Sequence, residues 1–174
     1  MRILAADMTE THVCIRTATA EELAEVGRLT QAAYREFFRR DDPLWQAYFE
    51  RIGDAASRAR KAELLVATVG GTIAGTATLE LDGTIEDGRL ADGQANLRLL
   101  AVSPAIRARG IGRALVTACL DRARAAGKTL LTLHTQEDMA AAAALYRSFG
   151  FSRDPERDIP LSDTLVLLAY RLPL

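Results

Sequence analysis

The stretch that most constrains this chain runs from Leu97 to Gly127. An apolar run, Leu97-Arg98-Leu99-Leu100-Ala101-Val102, is cut by Ser103-Pro104. Arg107-Ala108-Arg109-Gly110-Ile111-Gly112 follows, and then Leu115, Val116, Cys119, Leu120 and Ala123 recur at helical spacing. The order is strand, glycine-bearing turn, helix. Two glycines at the mouth of a helix let backbone come close to a ligand, and the N–H groups of the first turn have no intrahelical acceptor. Such a site suits an anion, most naturally a phosphate.

The spacing is not Gly-x-x-x-x-Gly-Lys-Ser/Thr, which disfavours a nucleoside-triphosphate loop. The first glycine of Gly-x-Gly-x-x-Gly is missing, which disfavours a dinucleotide fold. Val102-Ser103-Pro104 followed by Arg107 to Gly112 resembles the signature of the Gcn5-related N-acetyltransferase (GNAT) family, Arg/Gln-x-x-Gly-x-Gly/Ala after a strand ending in Val-x-Pro. A second stretch, Ala142-Ala143-Ala144-Leu145-Tyr146-Arg147-Ser148-Phe149-Gly150-Phe151, resembles the family's later motif, a helix carrying Leu-Tyr that ends at Gly-Phe. The two occur in the family's order, and the resemblance spans Val13 to Leu174.

At 174 residues the chain suits one domain, with about two-thirds or more of its unfolded surface buried on folding. The expected organisation is an N-terminal tail over residues 1–11 and one N-acetyltransferase domain over 12–174. Net charge is only -1, with acidic and basic residues interspersed, so nothing favours nucleic acid or an anionic membrane as partner. Met1 to Ala6 is too short an apolar run for a signal peptide, and no segment approaches the roughly 18 apolar residues of a spanning helix. The expected location is the cytoplasm. Cys14 and Cys119 read as small buried hydrophobes, not as a disulfide or a metal site.

Along the chain, Val13 to Arg16 reads as a strand. Thr19 with Glu22 forms a capping box ahead of Leu23, Val26, Leu29, Ala33 and Phe37, the first helix. Asp41-Asp42-Pro43 breaks the chain, and Leu44, Trp45, Tyr48, Phe49 and Ile52 resume a helical pattern as core or cleft wall. Leu64–Val69 and Thr72–Leu81 flank Gly70-Gly71 as a hairpin. Asp82 to Gln94 reads as an acidic loop containing Glu86, Asp87 and Asp92. Gly127 stops the third helix, Thr129–His134 is the fifth strand, and Thr135 and Asp138 are candidate caps for a fourth helix ending at Gly150. Asp154 to Pro160 reads as irregular, and Thr164 to Leu172 as a buried final strand.

The resemblance implies an α/β acyl-CoA N-acyltransferase fold: a mixed, mostly antiparallel sheet flanked by helices, with parallel strands four and five splayed to admit the pantetheine arm of acetyl-CoA. Backbone groups of Leu100, Ala101 and Val102 would pair with the pantetheine amides. Arg107, Ala108, Arg109, Gly110, Ile111, Gly112 and Arg113 would cradle the pyrophosphate, mainly through the N–H groups of Arg109, Gly110, Gly112 and Arg113. No metal is implied. Tyr146 matches the family tyrosine beside the coenzyme sulfur and is the candidate general acid. A backbone N–H near Leu100 would serve the oxyanion.

Two positions depart from the family pattern. Many relatives carry Glu in the fourth strand where this chain has Asn96, which takes no proton at neutral pH but can hold a water. Met139 stands where many have an asparagine that contacts the cofactor. A lysine-like amine with pKa ≈ 10.4 is neutral in about 4 molecules in 10,000 at pH 7, a penalty of roughly 4.6 kcal/mol. A base is therefore expected unless the acceptor is already mostly neutral; the candidates are His134 and Glu80. The implied activity is transfer of acetyl to a primary amine of a small molecule, with peptides as further acceptors and a homodimer left open. The competing class is an acyl-CoA-binding sensor or assembly module that has lost transfer.

Overall fold

The computed structural model describes residues 12–38, 43–85, 88–162 and 165–174. The expected tail, the break at Asp41-Asp42, Glu86, Asp87 and Thr164 lie outside them. Strands β1 (Val13–Thr17), β2 (Glu63–Val69), β3 (Thr72–Glu80), β6 (Gln94–Val102), β7 (Leu130–Thr135), β10 (Leu165–Pro173) and β8 (Ser152–Arg153) follow one another across the sheet, and β9 (Ile159–Ser162) also pairs with β10. A separate two-stranded ribbon joins β4 (Thr84–Ile85) to β5 (Gly88–Arg89). The helices are α1 (Leu23–Tyr34), α2 (Pro43–Gly53), α3 (Ala55–Ala59), α4 (Ile111–Ala125) and α5 (Ala140–Ser148). The strands and helices expected as fourth and fifth, third and fourth are thus β6 and β7, α4 and α5.

Among the described residues β6 and β7 form the one parallel pair, and every other ladder is antiparallel. The β2–β3 hairpin closes through Gly70 and Gly71, both at positive φ, as a two-residue turn that follows the sheet's twist requires. Thr19 donates its backbone N–H to Glu22 at 2.8 Å, so the expected capping box forms, one 3₁₀ turn ahead of α1.

The strands alternate between two environments. Ala77, Leu79, Ala95, Leu97, Leu131 and Leu133 join Ile111, Leu115, Val116 and Cys119 of α4 in the larger core. Val26, Ala55, Leu64, Val66 and Ile73 form a smaller core between the sheet and helices α1 and α3. Between these, the middle strands turn polar residues toward α1–α3: Thr78 and Glu80 on β3 face Arg98 and Asn96 on β6, and Asn96 faces Thr132 on β7.

Some local expectations change. The Asp82–Gln94 loop carries the β4–β5 ribbon, and β6 starts at Gln94 because Gln94 and Ala95 already pair with Leu130 and Leu131. The N-cap position of α5 falls on Met139; Thr135 ends β7. Ile159 and Pro160, expected as irregular, belong to β9. Cys14 is exposed on edge strand β1, not buried, whereas Cys119 is buried and desolvation pushes its thiol up to about 12.

Candidate active site

The pairing of β6 with β7 ends at Leu97–Leu133. Beyond that point β6 continues to Val102 alongside β3 only, so its other edge opens on a wedge. Ser103 donates its N–H to the Ala74 carbonyl on β3 at 2.8 Å. By alternation along an extended strand, the peptide groups of Leu100 and Val102 turn to the open side. Leu99 sits at φ 49, where the β3–β6 register slips between Thr76 and Thr78. A non-glycine residue in that region costs of order 1–3 kcal/mol and persists only where the surroundings impose it.

The wedge widens into a cleft of about 600 Å³ lined by Leu100, Ala101, Val102, Arg107, Ala108, Gly110, Ile111, Gly112 and Arg113, with Tyr34, His134 and Tyr146 further in. Arg109 is exposed and does not line it. Gly110 is the N-cap of α4 at φ 76, and a side chain there would meet no neighbouring atom, which leaves the mouth of the helix open. Ala108 at φ 64 completes the turn. The first-turn N–H groups of α4 therefore face the cleft without intrahelical acceptors.

Two arginine side chains of the turn make contacts within the protein. Arg107 forms an ion pair with Glu36 and donates to the Ala33 carbonyl at 3.2 Å, fastening the turn to the end of α1. Arg113 donates to Ser148 Oγ at 2.8 Å and stacks over Phe149, tying α4 to α5. Both guanidinium groups are thus engaged within the protein, leaving the turn's backbone N–H groups at the mouth of α4.

Tyr146 is buried, edge-on to Phe151 at 5.8 Å between ring centres, and desolvation raises its hydroxyl pKa well above the ordinary tyrosine value. It stays a proton donor. Tyr34, at the end of α1, also lines the cleft and is raised by burial; sequence reasoning did not single it out.

Asn96 and Glu80 lie together. Asn96 Nδ2 donates to Glu80 Oε2 at 2.8 Å, Arg98 Nη1 donates to Glu80 Oε1 at 3.2 Å, and Thr132 Oγ1 is 3.1 Å from Asn96 Oδ1. Both carboxylate oxygens of Glu80 are thus already engaged. His134 stands apart from this network, its Nε2 3.0 Å from the Arg157 carbonyl oxygen. Met139 lines the cleft as an apolar wall.

A second cavity, of about 800 Å³, lies under α2 and α3 and is lined by Tyr48, Arg58, Thr78, Glu80, Arg98, Leu99 and Leu167 among others. A neck of about 40 Å³ lies between, sharing Tyr34 and His134 with the cleft and Tyr48, Arg98 and Leu167 with the cavity. Leu99 lines all three. Among the described residues no cluster of His, Cys, Asp and Glu could hold a metal, and no helix is long and apolar enough to cross a membrane.

The model of the acetyltransferase (GNAT) family matches residues 25–151, and the chain belongs to that family. The N-alpha-acetyltransferase RimI of Mycobacterium tuberculosis is 38% identical over 144 residues, covering 79% of this chain and 83% of the relative. The mycothiol acetyltransferase of Clavibacter sepedonicus is 32% identical over 154 residues, but the chain spans only 42% of that longer protein. The GNAT acetyltransferase of Brucella melitensis solved in complex with acetyl-CoA superposes with a TM-score of 0.64 at 25% identity, over 94% of this chain and 89% of that one. YncA of Salmonella typhimurium, solved with its cofactor acetyl-CoA, gives 0.65 at 20% identity over 93% and 94%.

Proposed function

We propose that this chain transfers the acetyl group of acetyl-CoA to the primary amine of a small molecule by direct attack in a ternary complex. The observation that carries this reading is the open edge of β6 beyond Leu97, which leads along Leu100 and Val102 to the helix mouth at Gly110. An extended pantetheine arm would lie along that edge as an added strand, with its pyrophosphate on the first turn of α4.

In the reaction the neutral amine nitrogen attacks the thioester carbonyl carbon. A peptide N–H on the open edge near Leu100 receives the oxyanion. As the carbon–sulfur bond breaks, Tyr146 gives its proton to the departing thiolate. The proton shed by the amine goes to His134, which lines both the neck and the coenzyme cleft; the carboxylate of Glu80 is held by Asn96 and Arg98 and serves the site by fixing Arg98. A protein or peptide N-terminus is the second acceptor class, favoured by the 38% identity to RimI. Its α-amine, with pKa about 8, is neutral in roughly one molecule in ten at pH 7, so the burden on a base is small.

Acetyl-CoA should raise the thermal midpoint, and Gly110→Asp or Gly112→Asp should abolish the rise by setting bulk and charge against the pyrophosphate. Release of coenzyme thiol across amino acids, polyamines, aminoglycosides, aromatic amines and peptides identifies the acceptor. Coenzyme binding without thiol release on any amine would instead indicate an acyl-CoA sensor. Unchanged coenzyme affinity in both glycine variants would overturn the reading.

A further inference from the structure

We infer that the cavity beneath α2 and α3 receives acceptors that carry a carboxylate as well as the amine, and that Arg58 is the residue that selects them. This rests on the proposed transfer reaction and specifies its acceptor.

Arg58 on α3 reaches inward. Its Nη1 donates to Thr78 Oγ1 at 2.9 Å, and its Nη2 donates to the Ile52 carbonyl at 2.9 Å and to Thr30 Oγ1 at 3.2 Å. All three acceptors are neutral. No carboxylate among the described residues forms an ion pair with it, and its buried Nε has no hydrogen-bond partner. Burial, reinforced by the neighbouring charge of Arg98 and only partly offset by Tyr34, Tyr48 and the Asp54 carboxylate, lowers its pKa to about 10. A guanidinium held in this way is a liability to folding unless something brings it an anion.

The acids around the cavity are already engaged. Asp54 caps α3 by accepting from the Ser57 N–H at 2.8 Å, Glu80 accepts from Asn96 and Arg98, and Asp82 pairs with Lys128 at 3.1 Å. The cations Arg51 and Lys61 line the same cavity as Arg58. Arg51 stacks over Tyr48 at 5.3 Å and makes no ion pair among the described residues. Arg51, Arg58, Lys61 and Arg98 outnumber Asp54, Glu80 and Asp82 in the lining by one charge, which a carboxylate would balance. Tyr48, Leu161 and Leu167 give it an apolar wall. A volume of about 800 Å³ admits an amino acid or dipeptide whose amine points through the neck toward the coenzyme cleft.

The test pairs two acceptors with matched amines, glycyl-leucine and glycyl-leucinamide, in the thiol-release assay at saturating acetyl-CoA. In the wild type the acid should be used with kcat/KM about tenfold or more above the amide, the difference residing in KM, as expected for a charge-assisted hydrogen bond. Arg58→Met should collapse the ratio to within about twofold, and Arg58→Lys should keep part of it. Calorimetric binding of N-acetylglycyl-leucine and N-acetylglycyl-leucinamide to protein saturated with coenzyme A reads the same preference without chemistry. Coenzyme binding with no transfer to either dipeptide would count against the transfer reaction alone, and this binding measurement would then decide the present inference. Equal or better use of the amide, binding of neither product, or a ratio unchanged in Arg58→Met would overturn it. If Arg58→Met no longer shows the coenzyme-induced thermal shift, the wild-type ratio and Arg58→Lys decide.

Discussion

The Nε2 atom of His134 lies 3.0 Å from the carbonyl oxygen of Arg157. A carbonyl only accepts, so Nε2 carries the proton, and Nδ1 is left as the basic nitrogen of the neutral ring. The link also fixes the ring's orientation from a segment outside the cleft.

If that nitrogen takes the amine's proton, kcat/KM should show an ascending limb with pH that disappears in His134→Ala while acetyl-CoA affinity is kept. A profile that follows only the acceptor's own titration in both proteins would show that the neutral amine is captured without a base.

Tyr146→Phe should leave acetyl-CoA binding near wild type and lower kcat by about 10², the low end for general acid catalysis. The hydroxyl's raised pKa means that no loss of turnover from its ionisation should appear at moderately alkaline pH. Equal turnover in wild type and variant would leave Tyr146 a packing partner of Phe151.

Arg107 and Glu36 should act as one unit. Each is about half exposed, so the pair contributes at most about 1 kcal/mol to stability. Arg107→Ala and Glu36→Ala should each weaken acetyl-CoA binding by a few-fold, through loss of the anchor on the glycine turn, and the double variant should be no worse than either single one. Additive losses would mean that Arg107 touches the coenzyme itself.

Glu22 is held near pKa 2 by the Arg16 guanidinium first and the Thr19 N–H second, against an unfolded value of 4.5. Its folded pKa is depressed, so its contribution is complete above pH 4.5 and fades as pH falls toward 2. Glu22→Gln should lower the thermal midpoint at pH 7, and the gap to wild type should close between pH 4.5 and 2. A gap that persists at pH 2 would mean that the substitution acts through something other than this charge.

The strand, turn and helix from Leu97 to Gly127 were legible because a short apolar run gives way, across a glycine pair, to apolar residues at helical spacing. The polar rungs Asn96 and Arg98 were visible too, though not their partner: that Glu80 would spend both oxygens on them depends on the register of two strands distant in sequence. Arg58 was hidden for a plainer reason. It sits among Arg60 and Lys61, and a cation turned inward cannot be told from solvated neighbours by composition. Gly27 was equally silent, though a side chain on it would collide with the Gly53 carbonyl where α1 meets the end of α2.

The slip at Leu99 acts on β6 as a change of reading frame. Thr78 and Thr76, two residues apart on β3, face Arg98 and Ala101, three apart on β6. Even-numbered side chains thus meet the acceptor cavity before the slip, and odd-numbered ones turn to that side after it. Deleting Leu99 would restore a two-for-two ladder and leave Val102 facing Gly112 and α4, so the extra residue bends the strand without changing which side chains it buries.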